Sequence, residues 1–155
     1  MDKIIGLGNA LVDVLATLKD DTLLDEMGLP KGSMQLIDDA KLQQINTKFS
    51  QMKTHLATGG SAGNAILGLA CLGAGTGFIG KVGNDNYGEF FRENLQKNKI
   101  EDKLLTSEHL PSGVASTFIS SDGERTFGTY LGAAASLKAE DLTLEMFKGY
   151  AYLFI

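Results

Sequence analysis

The chain has 155 residues, 43% hydrophobic and 21% charged, with a formal net charge of -5. That is the size and balance of one globular domain, and the acidic surplus argues against a phosphate-gripping nucleic-acid binder. One cysteine excludes an intramolecular disulfide and a cysteine-based zinc site, and no apolar run reaches the ~20 residues of a membrane helix. No secretory h-region or cleavage site follows Met1-Asp2-Lys3, so a cytoplasmic protein is expected. Cys71, between Ala70 and Leu72, reads as a buried core residue. Glycine is abundant, 19 against 2 prolines, and sits in and beside apolar elements where a backbone turns or approaches something closely.

In chain order, Lys3 to Gly8 predicts a buried strand and Val12 to Leu18 a second, with Asp13 inside it. Asp20 to Met27 predicts a short helix closed by Gly28 and Pro30, and Ser33 to Ile37 a strand. Asp38 or Asp39 is placed to cap a helix over residues 40–52, whose Leu42, Ile45, Phe49 and Met52 share one face. A strand from His55 to Thr58 leads through Gly59-Gly60-Ser61 into a helix over residues 62–72, with Ser61 as a possible N-cap. Thr76 to Val82 reads as one strand. Asn84 or Asp85 caps a helix through Lys97, with Phe90, Phe91 and Leu95 facing inward. The Asp122-Gly123 pair between residues 114–120 and 125–131 marks a hairpin. Residues 140–148 predict a helix and residues 150–155 a strand.

Alternating strands and helices mean an α/β fold with a mostly parallel sheet flanked by helices. Residues 12–37 and 114–131 interrupt the rhythm and are expected to form a small antiparallel β flap. The apolar run Tyr150 to Ile155 reads as a strand covered on both faces, so the chain is expected to continue beyond Ile155.

Two motifs are near misses. Gly6-Leu7-Gly8 follows a strand, but Leu11 stands where a dinucleotide loop needs its third glycine. Gly75 to Lys81 fits a P-loop except that Val82 replaces the magnesium-binding hydroxyl. The segment Thr58 to Asn64 (TGGSAGN) carries more, because it hands a strand to a helix N-terminus. Free N–H groups and the helix dipole there favour oxygen-rich ligands. Asn64 offers a donor and an acceptor one turn in. With Asp13 and Asn9 it forms a set suited to vicinal hydroxyls, the carboxylate accepting from two OH groups.

The segments GNALVD, GGSAGN and GFIGKVGNDNYG resemble the N-terminal half of the ribokinase-like (PfkB) carbohydrate and nucleoside kinases, over nearly the whole chain. Ile66 departs from the family signature, where a small residue is usual. GLPKGSMQLID and the YLGAAASL ending of the hairpin look closest to the adenosine-kinase-like branch. The resemblance implies transfer of the ATP γ-phosphate, with magnesium, to the CH2OH of a nucleoside or sugar: adenosine-like favoured, ribose or fructose also accommodated. It implies that Asp13, Asn64 and the Gly59-Gly60 backbone hold ribose hydroxyls with Asn9 nearby. Met34 and Leu36 would border the base or sugar, Ala133 and Ala134 would approach through their backbone, and Arg125 would approach the transferring phosphate. The family's catalytic Asp, in a GAGD motif, is absent from these residues. Base and ATP site are therefore expected beyond Ile155, this chain supplying the substrate half and a lid and being inactive alone. The alternatives are a non-catalytic nucleoside- or sugar-binding module and, on the near misses alone, a dinucleotide or P-loop domain. The flap serves either as a lid on a monomer or as a homodimer interface.

Overall fold

Strand β1 (Ile4–Leu7) is the apolar run with which the chain opens, and it lies inside a four-stranded sheet. The computed structural model describes residues 2–155. After β1 come β2 (Leu11–Thr17), α1 (Thr22–Met27), β3 (Met34–Leu36), α2 (Asp39–Phe49), β4 (Thr54–Gly59) and α3 (Ser61–Cys71). Then follow β5 (Thr76–Ile79), β6 (Lys81–Gly83), α4 (Asn86–Lys97), β7 (Glu101–Asp102), β8 (Leu105–Ser107), β9 (Gly113–Ile119) and β10 (Arg125–Tyr130). Short 3-10 turns at Gly132–Ser136, Ala139–Asp141 and Leu144–Phe147 precede β11 (Tyr152–Phe154). The helix expected over 140–148 is thus two 3-10 turns.

The chain divides into two compact units. The first holds residues 1–12, 58–113 and 132–155. Its main sheet has the order β11-β1-β5-β7, every pair parallel. Strand β5 is buried at all four residues, as a central parallel strand is. Its core joins Ala10, Val12, Ala62, Ile66, Phe78, Val82, Phe91, Leu95 and Ile100. The single strand expected over 76–82 is broken at Gly80, and its second half, β6, pairs with β8 instead. A Cβ on Gly80 would lie 3.0 Å from the Gly8 carbonyl and 3.2 Å from Ala10 Cβ, so a side chain there would crowd both. One expectation is corrected. Cys71 is exposed at the end of α3, because the apolar spacing puts Ile66, not Cys71, on the inner face. Strand β11 pairs only with β1 in this sheet and leaves Tyr152, Leu153 and Phe154 exposed.

The second unit holds residues 13–57 and 114–131. Helix α2 and most of β4 therefore join the two segments expected as the flap. The five-stranded sheet runs β3-β10-β9-β2-β4. The β9–β10 hairpin is antiparallel as expected, but β3 pairs parallel to β10, so the sheet is mixed. Asp38 caps α2 by accepting from Lys41 N at 2.8 Å. Leu42, Ile45 and Phe49 are buried, and Phe49 meets Phe118 of β9 with ring centroids 4.9 Å apart. Gly128 of β10 faces α2, and a Cβ there would lie 3.2 Å from Ile45 Cδ1. Lys31 bridges Asp21 and Asp122, tying α1's start to the hairpin turn.

The departure at Ile66 has a steric counterpart. A Cβ on Gly6 would collide with Ile66 Cγ1, and one on Gly8 would lie 2.8 Å from Ala62 Cβ. The Gly6-Leu7-Gly8 pair therefore lets α3 lie on β1. Gly6→Ala is expected to destabilise the protein by about 1–3 kcal/mol through overpacking. Combined with Ile66→Ala, the loss should be clearly less than the sum of the two single losses, because the two side chains compete for one space. Additive denaturant midpoints across this double-mutant cycle would remove the steric account.

Candidate functional site

On the first unit, β4 ends at Gly59 and α3 begins at Ser61. The residue between, Gly60, has a φ of 87°, which L side chains adopt rarely. A Cβ on Gly60 would also strike the Asn9 carbonyl. The Gly-Gly turn and Asn9 thus come together through backbone alone. Gly60 is the N-cap of α3 and makes no side-chain cap, so Ser61 is the first helical residue rather than the cap. The helix N-terminus keeps N–H groups for which the cap provides no acceptor. Asn64 N donates to Gly60 O at 2.9 Å, and its side chain stands exposed on the first turn. Asn9 is exposed too, whereas Ala133 and Ala134 are buried in the Gly132–Ser136 turn. That turn is held by Lys81, whose Nζ donates to Asp141 Oδ2 at 3.0 Å and to Ser136 O at 3.4 Å.

The second unit presents a different chemistry. Val12, Val14 and Ala16 of β2 are buried, so alternation puts Asp13 and Leu15 on the opposite face. Met34 pairs with Phe127 and Leu36 with Thr129, so these share one face of the sheet with Arg125. Met34 and Leu36 are 61% and 65% exposed. Asp13 is half-buried, and burial pushes its carboxyl above the usual range while attraction to Arg125 pulls it back. The Met34, Leu36 and Arg125 face thus combines apolar surface with one guanidinium, and that guanidinium attracts the Asp13 carboxylate. A carboxylate held partly out of water is one that hydroxyl donors would stabilise.

The candidate residues thus form two sets. Asn9, Gly59, Gly60, Asn64 and Ala134 belong to the first unit; Asp13, Met34, Leu36 and Arg125 belong to the second. The near-miss motifs serve packing. Gly77, inside the P-loop look-alike, makes room for the Tyr150 hydroxyl, and its Lys81 is paired with Asp141. Sequence reasoning read Lys81 only as the lysine of a near-miss P-loop and passed over Asp141, sixty residues away, and no local pattern joins them. Among the described residues no three His, Cys, Asp or Glu side chains group as a metal site, and no helix is long and apolar enough to cross a membrane.

Residues 32–152 match the family model described as pfkB family carbohydrate kinase. The chain is 25% identical over 142 residues to adenosine kinase 2 of Arabidopsis thaliana, covering 90% of this chain and 41% of that protein. It is 32% identical over 95 residues to a probable fructokinase-3 of the same plant, covering 59% of this chain and 28% of that one. Among solved structures it superposes on an adenosine kinase from Sinorhizobium meliloti with a TM-score of 0.82 and 34% identity, over 98% of this chain and 46% of that one. A probable sugar kinase from Rhizobium etli gives a TM-score of 0.83 and 28% identity over the same shares. The α/β fold is thus ribokinase-like, and the chain spans less than half the length of these relatives.

The raised carboxyl of Asp13 has a consequence for stability. An acid raised in the folded state contributes stability below its unfolded value of 3.8 and loses it as pH rises through the folded value. At neutral pH the ionised group therefore works against folding. Asp13→Asn is expected to raise Tm at pH 7, with no gain near pH 3. A Tm that falls at pH 7 in this variant would show that ionised Asp13 is well compensated.

Proposed function

We propose, from the premise that the chain belongs to the pfkB family of carbohydrate kinases, that it forms the acceptor-binding part of an ATP-dependent kinase. The acceptor is the CH2OH of a nucleoside or sugar, with a nucleoside of the adenosine kind favoured. The observation that carries this reading is the bare Gly59-Gly60 turn at the head of α3, resting against Asn9, with Asn64 exposed on the next turn. Such a turn offers backbone N–H groups to oxygen ligands. The 34% identity to a bacterial adenosine kinase, against 28% to a probable sugar kinase over the same shares, supports a nucleoside over a free sugar.

In this reading Asp13 accepts hydrogen bonds from two vicinal hydroxyls, which fixes the ring and aims the CH2OH. Asn64, the Gly59-Gly60 backbone and Asn9 complete the network. Met34 and Leu36 cover the apolar face of the base or sugar, and Ala134 closes on it through its backbone. Arg125 stabilises negative charge on the transferring group, as cations do in phosphoryl transfer. ATP and magnesium supply the phosphoryl group and its charge neutralisation. No residue of this chain is assigned to hold them. The base is also assigned elsewhere, because GAGD does not occur in these 155 residues. Both are proposed to lie beyond Ile155.

The test is ADP formation by the full-length protein with adenosine, ribose and fructose as acceptors. Transfer is expected, fastest with adenosine. Asp13→Ala should lower kcat/KM for the acceptor by about 100-fold or more, since hydrogen bonds to a charged group are worth ~1.5–3 kcal/mol each. An unchanged kcat/KM would take Asp13 out of the site. Nucleoside binding without any turnover would favour the non-catalytic module instead.

A further inference from the structure

Asp85 does more than cap α4. Its Oδ1 accepts from Gly88 N at 2.9 Å, the helix-capping bond. The same oxygen accepts from Ser112 Oγ at 2.7 Å, and Oδ2 accepts from Ser112 N at 2.7 Å. Ser112 Oγ in turn accepts from Gly83 N at 2.9 Å. The knot is tight enough to need glycine twice. A Cβ on Gly83 would lie 2.7 Å from Leu110 O, and one on Gly88 would strike Gly83 O. Burial pushes the Asp85 carboxyl up, but the bonds from Ser112 and Gly88 outweigh it and hold the group below its usual range.

What this knot holds is a place where the chain leaves the first unit. Ser112 precedes Gly113, the last residue of that unit before β9 continues into the second. The chain returns at Gly132, and Ala133 N donates to Pro111 O at 2.8 Å. Both roots of the β9–β10 hairpin therefore meet in the segment that Asp85 secures. One of them is the turn that carries Ala134.

We propose that Asp85, acting through Ser112, is a positioning residue for the acceptor site: it sets the backbone at 111–113 and, through Pro111, the Ala133–Ala134 turn. The proposal rests on the kinase reading above for its substrate, and on the geometry of the first unit for its mechanism. The chemistry separates this role from capping. Asparagine caps a helix about as well as aspartate. Its amide nitrogen, however, would face the Ser112 N–H, donor against donor.

Asp85→Asn and Ser112→Ala are therefore compared in the full-length protein, by acceptor kinetics and by amide hydrogen exchange. In Asp85→Asn the acceptor KM is expected to rise about tenfold with kcat much less affected, the scale of one lost charge-assisted bond. Exchange should quicken at 112–114 and 132–136 while the first turn of α4 stays protected. Ser112→Ala keeps the cap and the Ser112 N bond to Asp85 Oδ2 but loses both bonds of the hydroxyl, to Asp85 Oδ1 and from Gly83 N, so it should shift KM the same way. It carries the test if Asp85→Asn does not fold. Unchanged KM in these variants, or faster exchange confined to the first turn of α4, overturns the role. A wild-type protein with no phosphoryl transfer sinks the kinase reading instead, and the exchange rates then still decide whether Asp85 holds the hairpin roots.

Discussion

Helix α3 lies on β1 because Gly6 and Gly8 have no side chains to keep it away. The inner face of that helix carries Ile66, fully buried, where the family signature leads one to expect a small residue. The volume has been moved from strand to helix: a larger residue on α3 is matched by bare backbone on β1. The head of α3, with Gly60 seated against Asn9, depends on this contact. A helix displaced by one side-chain layer would lift the Gly59-Gly60 turn away from Asn9. Close packing between small and large partners tolerates little change in either.

Two aspartates show how the same side chain is put to opposite uses. Asp85 accepts from Gly88 and twice from Ser112, and its carboxyl is held down. Such a group contributes to stability as long as it is ionised. Asp13 is half-buried with the attraction of Arg125 as partial compensation, and its carboxyl is held up. A satisfied carboxylate is a structural fastening. One with unmet demand suits the binding role proposed for Asp13, because an incoming donor gains what the fold has withheld.

Glycines explain why two familiar motifs read so nearly and mean something else. Gly6 and Gly8 receive a helix, and Gly77 receives the Tyr150 hydroxyl. The lysine that would reach a phosphate in a P-loop is instead in an ion pair with Asp141, tying β6 to the turns after the hairpin. In each case the residue type answers to a close approach of backbone, which a one-dimensional pattern cannot tell from an approach of ligand.

Most elements were legible locally. Asp38 and Asp85 were readable as caps, the Asp122-Gly123 turn as a hairpin, and the spacing of Leu42, Ile45 and Phe49 as a buried face, because each depends on neighbours within a few residues. The candidate residues Asp13, Asn9, Gly59, Gly60 and Asn64 were legible as chemistry and as a resemblance. Pairings between distant segments were not. The parallel pairing of β3 with β10, the break at Gly80, the exposure of Cys71 and the Asp85–Ser112 fastening all depend on contacts far apart along the chain. Residue type and periodicity determine which side chains share a face of an element. Which face meets which partner is decided by tertiary packing, where steric fit between remote segments selects one arrangement from several that the local pattern allows.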